Sequence, residues 1–229
     1  MKVTYLGHSA VLLEDGDKHI IIDPFLSGNP LFKGTLDDIP KLDAILLTHG
    51  HNDHFGDTIE LADRDGALIV CMVEIADFIE QHFEVDTHGL NIGGGYQFDF
   101  GKVTLVPAIH SSSINDKNGN IHYLGLAAGI VFESGTKAIY HAGDTALFSD
   151  MQLLNRYDLD LAFLPIGDNY TMGIDDAVQA AEWIEAQKVV PVHYNTFPII
   201  QQDPHIWARH MVEIGQHPHI LDAGEMVLI

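Results

Sequence analysis

Residues 48–57 read THGHNDHFGD. Three histidines and two aspartates fall within these ten residues, and Gly50, Asn52 and Gly56 among them do not suit a buried helix. In a chain with 15 histidines, a solvated loop with a chance run is the bland reading. The spacing argues instead for a metal site. His49, His51, Asp53 and His54 form H-x-H-x-D-H. The apolar stretch before them, Asp43–Thr48, reads as a buried strand, and Thr58–Arg64 after them reads as a short helix. His49 and His51 lie two apart on extended chain, so their side chains can point the same way. Asp53 and His54 then face the pocket from the other side of the turn. Imidazole with carboxylate is a ligand set for zinc first, with manganese, iron or nickel as alternatives.

The rest of the chain bounds what such a site can do. At 229 residues, 46% of them hydrophobic, the length fits one domain spanning 1–229, built of two similar halves, roughly 1–120 and 121–229. The net charge is −22, and Arg64, Arg156 and Arg209 are its only arginines. That balance disfavours nucleic acid and anionic membrane surfaces, which need a basic footprint. Cys71, the single cysteine, sits in the apolar run Ala67–Val73 and reads as a buried thiol, with no disulfide framework. The first residues lack the pattern of a signal peptide and no stretch approaches a membrane span, so a cytoplasmic protein is expected. A homo-oligomer is compatible with all of this.

Strand-like segments open the chain at 2–6, 10–14 and 19–22, the last two as a hairpin. Further strands are expected at 39–48, 68–72, 97–100, 102–107, 125–133, 137–141, 160–164, 189–192 and 225–229. Helices are expected at 74–83, 174–187 and 204–215, the second capped by Thr171 or Gly173. Hairpins early and helices late in each half predict an α+β fold. Two sheets pack together with helices outside, and the site lies where strand ends of the two halves meet.

Three more ligand candidates each follow an apolar strand: His110 after Val103–Ile109, Asp144 after Ala138–Gly143, and His193 after Val189–Val192. Together with THGHNDH, the AGDT at 142–145 and VHYN at 192–195 make the chain resemble the metallo-β-lactamase superfamily over nearly its whole length. YLGHSAVLLE, IIDPFLSGNP, VPAIHSSS and LPIGDNYTMG resemble one branch, the metal-dependent hydrolases related to L-ascorbate-6-phosphate lactonase. The resemblance implies a four-layer αββα sandwich with two metal ions per chain. It implies that His49, His51 and His110 hold the first ion, that Asp53, His54 and His193 hold the second, and that Asp144 bridges them. It also implies hydrolysis by a metal-bound hydroxide.

Asp53 and His8 are the catalytic candidates. Asp53 would orient the nucleophile. His8, in Gly-His-Ser, would reach the pocket as a proton donor or substrate contact, or be structural. Asp23, ending a strand before Pro24, either accepts from a ligand imidazole or caps its strand. His141 is either an orienting partner of the ligands or merely buried. Ser111–Ser113, Asp168, Asn169, Tyr170 and Asn195 are pocket-lining or loop residues. His205, His210, His217 and His219 read as surface residues.

The expected function is hydrolysis of a small intracellular ester, lactone or phosphoester. The alternatives are a nucleic-acid phosphodiesterase, which the charge disfavours, and a non-hydrolytic metal-binding or redox protein. A compact polar ester or lactone, able to carry an anionic group, is the expected substrate, with Lys33 as the basic residue of a pocket loop.

Overall fold

Ile20–Ile22, Ala44–Leu46 and Ile69–Met72 are buried on both faces, whereas Val3 and Tyr5 alternate with the half-buried Lys2 and Thr4. The first pattern belongs to parallel strands covered by helices, the second to strands nearer an edge. The structure, a computed structural model describing residues 1–229, places them accordingly. In chain order the first elements are β1 (Lys2–Gly7), β2 (Ala10–Asp15), β3 (Lys18–Ile22), β4 (Ala44–Leu46), α1 (Asn52–Phe55), α2 (Thr58–Asp65), β5 (Leu68–Met72), α3 (Val73–His82) and β6 (Thr87–Leu90). Then follow β7 (Gly95–Phe98), β8 (Gly101–Pro107), β9 (Ser113–Asn115), β10 (Ile121–Tyr123), β11 (Ala128–Ser134) and β12 (Lys137–His141). A 3-10 segment (Ser149–Tyr157), β13 (Leu161–Pro165), α4 (Ile174–Ile184), β14 (Val189–Val192), α5 (Pro204–Glu213) and β15 (Met226–Leu228) complete the chain.

The first sheet has the order β15-β1-β2-β3-β4-β5-β6 and the second β14-β13-β12-β11-β8-β7. Each begins antiparallel and turns parallel: β3 to β6 run parallel in one, β12 to β14 in the other. Apolar faces of the two sheets meet in one core, which Leu61 and Ala62 of α2 and Ile75 and Ile79 of α3 join from the far face of the first sheet. A second core lies between the second sheet and the 3-10 segment, α4 and α5, around Tyr140, Ala177, Ala181 and Trp207. The architecture is the expected αββα sandwich.

Two pairings connect this topology to the site. β1 is antiparallel to β2 and β2 to β3, so β1 and β3 share a direction. By the same count through β11, β8 shares the direction of β12. In each sheet the strands that lead to the motif residues therefore end on the same side, where open α/β sheets place their ligands.

Local differences from the expected elements have identifiable causes. The strand expected at 39–48 pairs only over Ala44–Leu46. Pro40 cannot donate to a ladder, and Leu36–Asp38 forms a 3-10 turn just before it. The 125–133 strand begins at Ala128, because Gly125 has φ +76°. The α4 helix stops at Ile184, where Glu185 adopts φ +55°, and its N-cap is Gly173, with no side-chain cap. The edge strand β6 and the β9–β10 hairpin were not expected. Both are short and half-exposed, so neither leaves an apolar pattern.

Candidate metal centre

The site is assembled from strand ends. His8 follows β1, Asp23 follows β3, and Thr48, His49 and His51 follow β4. Asp53 and His54 lie in α1, His110 follows β8, Asp144 follows β12 and His193 follows β14. His8, Asp23 and His193 have left-handed backbones, with φ of 56°, 47° and 54°. Such conformations are costly outside glycine and cluster at functional sites. Gly143 shares the geometry at φ +60°, and a Cβ there would come within 2.7 Å of Thr48 Cβ. Glycine lets the Asp144 loop press against the strand end that carries His49.

All seven expected metal-binding residues come together around Asp144. Its Oδ1 lies 3.2 Å from His54 Nε2. Its Oδ2 lies 3.1 Å from His193 Nε2, 3.5 Å from His110 Nε2 and 3.9 Å from His49 Nε2. His49 Nε2 and His51 Nδ1 are 3.0 Å apart, and His193 Nε2 is 3.9 Å from Asp53 Oδ2. Two four-membered donor groups result, His49–His51–His110–Asp144 and His8–Asp53–His54–His193, each with ligand atoms within 4.8 Å of one another. Buried inside them, His8 Nε2, His54 Nε2 and Asp144 Oδ1 have no hydrogen-bond partner. His54 Nε2 and Asp144 Oδ1 are close but out of line for a hydrogen bond. Unpartnered donors aimed at common centres are costly unless a cation takes them up, and imidazole with carboxylate suits a divalent transition ion.

The orienting network is legible atom by atom. Asp23 is fully buried, and its Oδ2 is 2.7 Å from His54 Nδ1 and accepts the Thr48 hydroxyl at 2.6 Å. Because that hydroxyl proton goes to Asp23, His49 Nδ1, 3.0 Å from Thr48 Oγ1, must donate to it. His49 thus turns a bare Nε2 toward the site, and His54 presents its Nε2 edge to Asp144, the orientation a ligand imidazole needs. Ser111 Oγ is 3.4 Å from His51 Nε2, which leaves Nδ1 to face the site. Buried His141 accepts from Gly143 N–H through Nδ1 at 3.1 Å and so donates from Nε2 to Ser9 O at 2.9 Å. It holds the Asp144 loop rather than a ligand.

Thr48, Thr196 and Asn52 are supporting residues that the sequence reading missed, and Ser112, expected as a pocket-lining or loop residue, is a fourth. Thr196 Oγ1 sits 2.8 Å from His8 Nδ1, and Ser112 Oγ takes the Gly50 N–H at 3.1 Å. Asn52 clamps the β9–β10 hairpin by exchanging two hydrogen bonds with the Asn115 backbone, at 3.1 and 3.2 Å. Their only sequence signal was adjacency to a ligand.

Charge follows burial and neighbours. Desolvation, with His54 beside it, pushes His49 well below the ordinary imidazole range. Desolvation likewise lowers His51 and His110. Burial works the same way on His54, but the Asp144 and Asp23 carboxylates outweigh it and raise His54 well above that range. Burial would raise Asp144, yet His193 and His54 hold it well below the usual carboxylate value. Asp53 is also held low against burial, by His8 and His54. Desolvation and His193 bring His8 down to about 4.

A cavity of about 440 Å³ opens over the cluster, with His51, Asp53, His110, Asp144 and His193 on its floor and Ser111, Tyr170, Phe197 and Ile199 around it. His8 does not line it. Fully buried behind Asp53, it faces that carboxylate with Nε2 3.2 Å from Oδ2, without a hydrogen bond between them. Lys33 and Asn195 line a separate groove with His205 and Asp222, so Lys33 is not a basic residue of this pocket. Asp168 and Asn169 form a left-handed turn outside the cavity, with φ of 59° and 48°. His205 and His217 are exposed and His210 and His219 half-buried, all outside the donor groups. Cys71 is fully buried in the core, and desolvation raises its thiol.

Comparison with known proteins identifies the family and the fold. The beta-lactamase superfamily domain matches residues 18–194. A UPF0173 metal-dependent hydrolase from Bacillus cytotoxicus is 51% identical over 231 residues, covering all of both chains. Among solved structures, the metallo hydrolase Igni18 from Ignicoccus hospitalis superposes with a TM-score of 0.89 at 38% identity, over 99% of this chain and 97% of that one. An isothiocyanate hydrolase from Delia radicum gut bacteria shares the fold at 23% identity and a TM-score of 0.79, over 100% of this chain and 99% of that one. With a donor set built for divalent ions on this scaffold, the chain belongs to the metallo-β-lactamase superfamily, as a metal-dependent hydrolase of the UPF0173 family.

Proposed function

We propose that the protein is a dinuclear hydrolase of a small cytoplasmic ester, lactone or phosphoester. In this reading His49, His51 and His110 hold one ion, and Asp53, His54 and His193 hold the other. Asp144 is shared. The observation that carries it is the position of Asp144, whose two oxygens lie 3.1–3.9 Å from imidazole nitrogens of both groups. Bound ions would supply Lewis acidity and activate water near neutral pH. A lone buried thiol suits a reducing compartment.

The chain's own residues do the rest. Asp53, kept as a carboxylate and only partly buried, accepts a hydrogen bond from the attacking water and sets its direction. His8, with Nε2 3.2 Å from Asp53 Oδ2, backs that carboxylate from its buried side. The Ser111 hydroxyl at the cavity wall is placed to hydrogen-bond a substrate oxygen. Asp23 and Thr48 fix the imidazoles so that little reorganisation accompanies the reaction.

The deciding test is elemental analysis of purified protein together with a panel of lactones, simple esters, phosphodiesters and single-stranded RNA. About two ions per chain and turnover of a small ester, lactone or phosphoester are expected. One ion per chain would remove the dinuclear assignment, and RNA turned over far faster than the small esters would replace the substrate reading.

A further inference from the structure

Beyond the expected ligands and Ser111, everything that lines the cavity is Tyr170, Phe197 and Ile199. No lysine or arginine is among the lining residues. Tyr170 and Ile199 are large apolar side chains left 56% and 57% exposed, so both have surface to offer a ligand. Contiguous apolar surface in a polar-rimmed pocket marks a binding surface, with the few polar groups fixing orientation.

Both segments that carry this wall are held in shape before a ligand arrives. Phe197 stands edge-on to the His8 ring, centroids 5.6 Å apart, and 6.4 Å from Phe25. Asn195 N–H donates to Ile200 O at 3.0 Å, Ile200 N–H to Phe197 O at 3.1 Å, and the Asn195 side chain accepts from Gln202 N–H at 2.8 Å. Pro198 opens the short 3-10 turn that presents Ile199. Tyr170 is set by the left-handed pair Asp168 and Asn169, with Asp168 N–H on Met172 O at 3.0 Å and Met172 N–H on Thr145 O at 2.9 Å. Preordered walls lose little conformational freedom on binding.

We infer that Tyr170, Phe197 and Ile199 form the subsite for a neutral alkyl or aryl group of the substrate, the part leading away from the bond that is cleaved. This rests on the hydrolase reading and narrows it. A tail carrying a carboxylate or phosphate would find no cation on this wall and would approach a chain of net charge −22. A neutral apolar tail loses water against three apolar side chains. Lys33, expected from the sequence as the basic residue of a pocket loop, lies in the other groove, so no basic side chain is left at this wall for an anionic group.

The test separates this inference from the reaction itself. Hydroxamates with alkyl chains of two, four and six carbons, and the six-carbon chain ending in a carboxylate, are titrated calorimetrically into metal-loaded protein. Nitrophenyl esters with the same chains are assayed alongside. Affinity should rise about threefold to fourfold per added methylene until the wall is covered. The terminal carboxylate should cancel that gain. Ile199→Asp should flatten the series, and Ile199→Lys should flatten it while strengthening the carboxylate-tailed probe. Both substitutions sit on an exposed position, and an unchanged melting temperature verifies that the fold is kept.

A chain-length gradient without ester turnover would support the subsite while removing the ester-hydrolase reading. Turnover of the esters with affinity independent of chain length would overturn the subsite and leave the hydrolase. Tightest binding of the carboxylate-tailed probe to the unsubstituted protein, or no hydroxamate binding at any length, would overturn it as well.

Discussion

Asp23 Oδ2 and His54 Nδ1 are 2.7 Å apart, and both residues are wholly buried. The same carboxylate reaches His49 through the Thr48 hydroxyl, so one aspartate orients an imidazole of each donor group. Carboxylate partners of ligand histidines typically contribute about 10–100-fold to metal affinity. Asp23→Asn keeps the volume but places an amide where the carboxylate accepted three donors. It should weaken retention of both ions by about that factor, read by competition with a chromogenic chelator. Retention equal to the unsubstituted protein would show that Asp23 is only a strand-end cap.

Asp144→Ala removes the group that faces both donor sets, whereas His110→Ala touches one. After dialysis against metal-free buffer, Asp144→Ala should hold well under one ion per chain, and His110→Ala about one. The two variants would then differ as a ligand shared between the sites requires. Two ions retained by Asp144→Ala would disprove the sharing.

How much of this was legible in the sequence depended on periodicity and spacing. The alternating and all-apolar strands could be read, as in Lys2–Gly7 and Ile20–Ile22, because burial imposes those patterns. The H-x-H-x-D-H run, His110, Asp144 and His193 could be read because each follows an apolar strand. Asp23 could be named as a possible acceptor because it ends a strand, but not tied to His54, 31 residues away, and Thr196, 188 residues from His8, left no sign at all. Of the apolar wall, Tyr170 was named as a pocket-lining or loop residue, but the wall as a whole was hidden for a related reason. Tyr170, Phe197 and Ile199 sit in irregular loops where no period marks a face, and only left-handed turns at Asp168, Asn169 and Asn195 aim them. Lys33 misled because a basic residue in a Pro-rich loop says nothing of which groove the loop borders.

Acid should destabilise the metal-free protein through its imidazoles. His8 has a folded value of about 4 against an ordinary 6.5, so between those values the unfolded chain binds a proton that the folded chain refuses. Stability from this group is complete above pH 6.5 and is lost as pH falls toward 4. His49, His51, His110 and His141 are lowered too and act in the same direction. His54, raised, acts in the opposite one: its contribution is present below the ordinary value and fades as pH rises through its folded one. Five groups oppose one, so urea unfolding with chelator present should show stability falling from pH 7 to 5. His8→Asn, which tolerates the left-handed backbone, should reduce the slope by up to one proton, about 1.4 kcal/mol per pH unit. An unchanged slope in that variant would refute the assignment for His8.

Metal uptake should release a proton at neutral pH, and His54 should be its main source. Asp144 and Asp23 hold His54 protonated in the metal-free protein despite its burial. Its Nδ1–H is directed to Asp23, so the proton to be displaced is the one on Nε2, the atom facing Asp144 Oδ1 at 3.2 Å. Ligation needs that nitrogen bare, and binding therefore expels the proton. The neighbouring His49, His51 and His110, all lowered, are already neutral at pH 7 and contribute little. Calorimetric titration of metal into stripped protein, in two buffers of different ionisation enthalpy, counts protons from the difference in apparent heat. About one proton per chain is expected at pH 7, with a smaller count once the pH is high enough for His54 to give up its proton to solvent before the ion binds. In Asp23→Asn the count should drop at pH 7, because one of the two carboxylates that keep His54 charged is gone. Zero release at pH 7 from protein that binds its full complement of metal would mean that His54 is neutral before the ion arrives.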